Sequence, residues 1–142
     1  MRNGTTLLEL AVALLVLGLA GSALIPAARA AADRAAVVGA REAAAALVAR
    51  TRTEAMQGGG AAFRARVSDR SVWVERADSV VELRRLGDEF GVTLALGGGA
   101  REATLPFDAL GLGRRASSTL VFQRGRAEAR LVIAAYGRAV RS

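Results

Sequence analysis

Apolar residues dominate the first third of the chain, and their spacing changes along it. From Leu10 to Ala28 nearly every residue is apolar and none carries a charge. At a rise of about 1.5 Å per residue, a helix of this length crosses the roughly 30 Å hydrocarbon core of a bilayer. The pattern therefore predicts a membrane-spanning helix near the N-terminus.

Beyond Pro26 the apolar positions recur every three or four residues, which is typical of a helix with one buried face. This spacing predicts an amphipathic helix over residues 29–57, ended by the glycines at 58–60. Pro26 is expected to remove one backbone hydrogen bond and to bend the rod. The predicted buried stripe is Val37, Ala40, Ala44, Leu47, Val48, Thr51 and Ala55, and the polar face carries Arg34, Arg41 and Arg52.

After these glycines the period falls to two, which indicates β-strands. Alternation at residues 63–67, a turn at 68–70 and a second run at 72–74 predict a first hairpin. Together with the helix, these signals predict an α+β fold in which an antiparallel β domain at residues 61–142 packs on the amphipathic helix. Further strands are expected at 80–84, 92–96, 103–107, 119–124 and 127–136, the last two joined by a turn at 125–126.

The composition of the 142 residues argues against an enzyme. There is no cysteine and no histidine, which excludes thiol catalysis, disulfides, Cys/His metal sites and a Ser-His-Asp triad. The acidic residues show no spacing suited to a metal or to paired acid and base chemistry. The Gly-x-Gly-x-x-Ala string at residues 111–116 is followed by a strand signal and not by the helix that a dinucleotide site needs. No catalytic residue, cofactor or metal is therefore expected.

The net charge of +7 comes from arginine, because the chain has no lysine. A basic surface favours anionic partners, which include acidic lipid headgroups, nucleic acid and acidic neighbours in a complex.

Glu9 is the only charged residue between Gly4 and Arg29. A carboxylate in hydrocarbon costs about 2.5–3.5 kcal/mol on insertion scales, so it needs a partner or a function there. One interpretation of this region is a secretory signal peptide cleaved near Ala30, which would release a soluble periplasmic domain from about Ala31. Glu9 argues against it, because the apolar core of a signal peptide gains nothing from a carboxylate.

The sequence Gly4-Thr5-Thr6-Leu7-Leu8-Glu9, followed by a long apolar helix with Pro26 near its end, resembles the N-terminal signal of type IV pilins and pseudopilins. The resemblance implies that residues 1–4 are a leader, that a prepilin peptidase cleaves between Gly4 and Thr5, and that Thr5 is then N-methylated. It also implies that Glu9 serves assembly by neutralising the amine of an adjacent subunit in a filament core formed by residues 5–28. Thr5 departs from the bulky apolar residue that is usual at that position.

Looser similarities extend this resemblance to the GspH/FimT group of minor pseudopilins. They lie at residues 52–56, 72–74, 107–111 and 131–138. The group implies a minor, tip-proximal component of a type II secretion pseudopilus or of a type IV pilus, with other pilin or pseudopilin subunits as partners. It further implies a single pass through the inner membrane, with the C-terminal domain in the periplasm or on the filament.

The C-terminal residues 137–141 resemble a Gly-Arg-x-Arg tail with which some members of this group hold DNA during natural transformation, although the spacing differs by one residue. Guanidinium groups suit phosphate because they offer paired planar donors. The alternative is that these arginines are solvated or contact neighbouring subunits. The candidate DNA-binding residues are Arg138 and Arg141, with Arg114, Arg115, Arg124, Arg126 and Arg130 as additional phosphate contacts.

Overall fold

The structure, a computed structural model, describes residues 6–113, 117–134, 136 and 138–142. A single helix, α1, spans Leu7–Gly58 and continues through Pro26 without interruption. The chain divides into two compact units, Met1–Ala32 and Asp33–Ser142, which we call unit 1 and unit 2. Because α1 remains helical at Pro26, the bend expected there does not break the helix.

Within its described residues, unit 2 contains the C-terminal part of α1, eight β-strands and a short helix. The strands form two antiparallel four-stranded sheets: sheet A in the order β3-β2-β1-β5 and sheet B in the order β4-β6-β7-β8. The elements after α1 are β1 (Gly60–Arg66), β2 (Ser71–Arg76), β3 (Ser79–Arg85), α2 (Leu86–Phe90), β4 (Thr93–Leu96), β5 (Glu102–Asp108), β6 (Ser118–Arg124), β7 (Ala127–Ile133) and β8 (Ala139–Arg141).

One hydrophobic core unites α1 with both sheets. In sheet A, Phe63 lies opposite Val74 on one side and Leu105 on the other, and all three side chains are buried. In sheet B, Leu120 lies opposite Leu131, and both are fully buried. The alternation of apolar and polar residues predicted from the sequence thus directs one face of each sheet into the core.

The predicted stripe on α1 is confirmed. Val37, Ala40, Ala44, Leu47, Val48, Thr51 and Ala55 are all at most 2% exposed. Thr51, the one polar member, donates its hydroxyl to the carbonyl of Leu47 at 2.7 Å. This bond satisfies a group that would otherwise be costly to bury.

Four elements differ from the sequence-based expectations. Helix α2 was not expected, and neither was β8. Residues Gly97–Gly99, which fall between two of the predicted strands, form a 3₁₀ turn, and β7 ends at Ile133 and not at residue 136. All of these segments are three to seven residues long, so tertiary contacts outweigh their weak local patterns.

Candidate assembly site

The N-terminal part of α1 presents its apolar side chains without cover. An 18-residue window of α1 has a mean hydropathy of 2.3 and none of it is buried. The large apolar side chains from Leu7 to Ile25 are at least 52% exposed. Solvated apolar surface of this extent is unfavourable, because burial contributes about 25 cal/mol per Å². The helix is long and apolar enough to cross a membrane.

Glu9 lies in the first turn of α1, and its carboxylate closes a capping box with Thr6. The backbone amide of Thr6 donates to Oε2 of Glu9 at 3.0 Å, and the amide of Glu9 donates to Oγ1 of Thr6 at 3.3 Å. A capping box satisfies two of the backbone donors that a helix start leaves unpaired. Thr6 is a functional candidate that the sequence analysis missed, although the Thr-x-x-Glu spacing signals it.

The capping box leaves the negative charge of Glu9 without a cation. Within the described residues, no arginine forms an ion pair with it, and the side chain is exposed. In a water-free setting such a carboxylate is costly unless a cation reaches it. The two residues expected to supply the cleavage site and the new amine, Gly4 and Thr5, lie outside the described residues, so cleavage and methylation stay predictions.

Two of the candidate DNA-binding arginines are already engaged by carboxylates of α1. Arg124 lies 3.1 Å from Asp33 and also donates to the carbonyl of Phe90 at 2.6 Å. Arg141 lies 2.9 Å from Glu42. Arg141 faces Leu131 across the β7–β8 ladder and therefore shares the core-side face of sheet B.

Of the other candidate arginines, those that the structure describes do not converge on one surface. Arg130 pairs with Glu128 at 2.6 Å. Arg126 and Arg138 are exposed and have no ion pair within the described residues, but they flank opposite ends of β7, about 20 Å apart for a strand of this length. Arg114 and Arg115 lie outside the described residues. DNA binding through these arginines therefore stays a prediction.

Two carboxyl groups of unit 2 have shifted acidities. Arg84 donates hydrogen bonds to Glu89, which lowers the pKa of that carboxyl and raises the pKa of the guanidinium. Hydrogen bonds from Gln123 and Arg130 lower the pKa of Glu128. Glu89 is held charged by an arginine of β3, and Glu128 by Gln123 of β6 and by Arg130 of its own strand, which is typical of structural ion pairs and not of a general acid.

Trp73 is the only tryptophan and lies on the face of sheet A opposite the core. The guanidinium of Arg66 lies 5.1 Å from its ring centroid, within the range of a cation–π contact. Trp73 is therefore a single fluorescent reporter of the folded state of unit 2.

This architecture, a long N-terminal helix packed on antiparallel sheets, is the fold of the type IV pilins. The chain is similar to two crystal structures of the type IV minor pilin FimU from Pseudomonas aeruginosa strain PAO1. The first matches with a TM-score of 0.58 and 18% identity, covering 75% of this chain and 87% of that one. The second matches with a TM-score of 0.57 and 18% identity, covering 73% and 90%.

No family model matches the chain, and no curated protein sequence matches it. The structural similarity confirms the predicted α+β, pilin-like fold. At 18% identity it concerns the fold alone, so the role of the chain is argued from its own residues.

Proposed function

We propose that this protein is a minor subunit of a type IV pilus or of a type II secretion pseudopilus, anchored in the inner membrane before assembly and held in the filament by its N-terminal helix. The observation that carries the proposal is the uncovered apolar part of α1 with a single unpaired carboxylate, Glu9, in its first turn. The pilin fold of unit 2 supports the same role.

The apolar helix has two environments that remove it from water. In a bilayer, lipid covers its side chains, and in a filament the equivalent helices of neighbouring subunits do so. Because lipid and helix bundle are similarly apolar, the transfer between them costs little hydrophobic free energy. The same helix therefore serves first as an anchor and then as the filament core.

In the filament, Glu9 favours one alignment of neighbouring helices over others. Cleavage after Gly4 would create an amine at Thr5, and the Glu9 carboxylate of an adjacent subunit would neutralise it inside the apolar bundle. A buried amine or carboxylate alone is strongly disfavoured, so the pair favours one axial register of the helices over others. Before assembly the capping box with Thr6 supplies part of the solvation that the carboxylate needs.

The test uses the absence of lysine. The α-amine exposed by cleavage is then the only amine of the protein, so a zero-length carbodiimide crosslink to a carboxylate of another subunit must involve that N-terminus. Native membranes that contain the assembled complex should give a crosslink from the N-terminal amine of this chain to the corresponding glutamate of a neighbouring subunit, and a second crosslink from Glu9 of this chain to a neighbour's N-terminal amine. N-terminal sequencing of the uncrosslinked protein should begin at Thr5.

Three variants separate pairing from capping. Glu9→Gln keeps the capping box but removes the charge, since glutamine also serves at that position. Thr6→Ala removes the side-chain cap but keeps the charge, and Glu9→Ala removes both. We expect incorporation into the filament and the crosslink to be lost in Glu9→Gln and in Glu9→Ala, and largely retained in Thr6→Ala.

Two results would contradict the proposal. Normal incorporation of Glu9→Gln would show that Glu9 acts only as a helix cap. An N-terminus near Ala31 would show that the apolar segment is removed, as the alternative of a secreted soluble protein requires.

A further inference from the structure

At the start of unit 2, α1 contacts the turn that joins β6 to β7. Arg124 pairs with Asp33 at 3.1 Å and donates to the carbonyl of Phe90 at 2.6 Å. Gly125 packs so closely against the Asp33 carboxylate that a Cβ there would overlap it. The turn is therefore fixed beside the first residue of unit 2.

Two arginines lie one residue from this contact, Arg34 after Asp33 and Arg126 after Gly125. Both are exposed, and neither has an ion pair in the part of the chain that the structure describes. We call this pair the basic turn surface. Asp33, next to Arg34 in the sequence, already pairs with Arg124, and Glu128, two residues after Arg126, already pairs with Arg130, so the two charges are available to an external anion.

The opposite end of the α1 segment in unit 2 has a different charge pattern. Glu54 lies 2.8 Å from Arg76 and 3.6 Å from Arg50, and Glu82 lies 3.2 Å from Arg50, so two carboxylates offset these two arginines. The turn after Arg76 carries an exposed acid, Asp78, instead of a free cation. Asp33 and Glu54 are about 30 Å apart along the helix. The turn after Arg76 therefore differs in charge from the basic turn surface.

We propose that the basic turn surface docks unit 2 on the anionic phospholipid headgroups of the membrane in which the protein is anchored. The inference rests on the proposed function, because it requires the apolar segment to lie in a bilayer. Asp33 follows Ala28, the last residue of that segment, by five residues, or about 7.5 Å of helix. The headgroup layer is about 5–7 Å thick on each side, so the chain enters unit 2 at the outer edge of this layer, where an arginine side chain can reach back to the phosphates.

The chemistry of the two side chains fits this occupant. A guanidinium binds phosphate oxygens through paired planar donors and is only weakly hydrated, so it gives up water readily at an interface. Two arginines on separate elements, joined by the Asp33–Arg124 pair, would bind two neighbouring headgroups. This contact would hold the subunit on the membrane until assembly replaces lipid with other subunits.

The experiment uses the full chain in vesicles and depends on its lack of cysteine. Single cysteines at three exposed positions carry a fluorophore: Gln123 near the basic turn surface, Asp78 at the other end, and Val16 in the apolar segment. The vesicles carry a quencher attached to lipid headgroups. They consist of neutral phosphatidylcholine, either alone or with about 30% phosphatidylglycerol, and the second composition mimics an anionic leaflet.

We expect quenching at Gln123 to be about twofold stronger with phosphatidylglycerol and to fall to the neutral level in high salt. Quenching at Asp78 should not depend on lipid charge. The double variant Arg34→Gln, Arg126→Gln should abolish the difference at Gln123. Arg138→Gln, which removes an equally exposed arginine at the other end of β7, should preserve it. Trp73 emission checks that each variant is folded.

The fluorophore at Val16 tests the membrane anchor, and the fluorophore at Gln123 tests the docking on lipid headgroups. If the Val16 fluorophore lies outside the bilayer, the membrane anchor fails and the proposed function with it. If Val16 is embedded but Gln123 ignores lipid charge, or responds equally in the double variant, only the docking proposal is overturned. A response at Gln123 to duplex DNA and not to phosphatidylglycerol would identify a nucleic-acid surface and would also overturn it.

Discussion

Gly125 shows how one residue without a side chain fixes the position of a turn, here the one beside the proposed docking surface. It adopts a φ of +57°, a conformation that side chains rarely accept, and its open side is filled by the Asp33 carboxylate. The first constraint comes from the tight turn between β6 and β7, and the second from its contact with α1. A substitution here therefore affects the turn and its contact with α1 together.

We predict that Gly125→Ala destabilises unit 2 by about 2 kcal/mol, since the left-handed conformation costs about 1 kcal/mol and displacement of Asp33 adds to it. Urea unfolding of the full chain in detergent, followed by Trp73 fluorescence, measures the effect. Gly98→Ala is the matched control, because Gly98 has a φ of +72° but open space around it. Equal losses in the two variants would show that the contact with Asp33 contributes nothing.

At the scale of single residues, a contact could be predicted from the sequence only where its two partners lie close together along the chain. The capping box joins Thr6 and Glu9, which are three positions apart, so it can be recognised in the sequence as a local motif. The ion pair of Arg141 and Glu42 joins positions 99 apart. Nothing near either residue signals the other, so a tail that resembles a phosphate-binding motif contains an arginine that the fold partly neutralises.

Among the elements, α1 was the most predictable, because its apolar stripe repeats over many turns and each repeat strengthens the signal. Helix α2 is different. It has five residues, too few for a periodic pattern, and it is held by the burial of Leu86 and Gly87 and by the contact of Phe90 with α1 at Gly39. Short elements of this kind exist because of tertiary contacts that a sequence does not display.

The ion pair that ties α2 to β3 should make stability depend on pH. Arg84 lowers the pKa of Glu89 in the folded state, so the pair stabilises fully above the ordinary pKa of glutamate, about 4.3, and its contribution is lost as the pH falls through the lower folded value. We predict that Glu89→Gln lowers stability at pH 7 by less than about 1 kcal/mol, because both side chains are roughly one third exposed.

The measurement is thermal unfolding at a series of pH values. The difference between the parent protein and Glu89→Gln should shrink steadily between about pH 5 and pH 3. Asp78→Asn removes a negative charge that has no ion pair in the described residues and should give a nearly constant difference. If the difference in stability between the parent protein and Glu89→Gln grew as the pH fell, the prediction would be wrong, because the charged form of Glu89 would then not be the stabilising one.

For the whole molecule, the sequence predicted the α+β class but not the arrangement of the strands. Hairpins such as β1–β2 and β6–β7 follow from alternation and turn residues. The placement of β5 beside β1, and of β4 beside β6, requires pairings between distant segments. Several strand arrangements are compatible with the same alternation of apolar and polar residues, so this pattern does not determine the division into two sheets.

The described core lies within residues 37–133, which all belong to unit 2. We therefore predict that a fragment of residues 33–142 folds alone and unfolds in one cooperative transition, followed by circular dichroism and Trp73 fluorescence. A fragment of residues 45–142 lacks Val37, Ala40 and Ala44 and should not show that transition. Similar melting of both fragments would mean that this part of α1 contributes little to the core.

Pro26 gives the long helix a mechanical property. Proline has no amide hydrogen, so the carbonyl of Ser22, four residues earlier, receives no backbone bond from it. Uncoiling the rod at this point forfeits one bond fewer than uncoiling it elsewhere, and each residue that passes from helix to extended chain adds about 1.8 Å of length. A pull along the axis therefore meets its least resistance beside Pro26, which makes the continuous rod an extensible one.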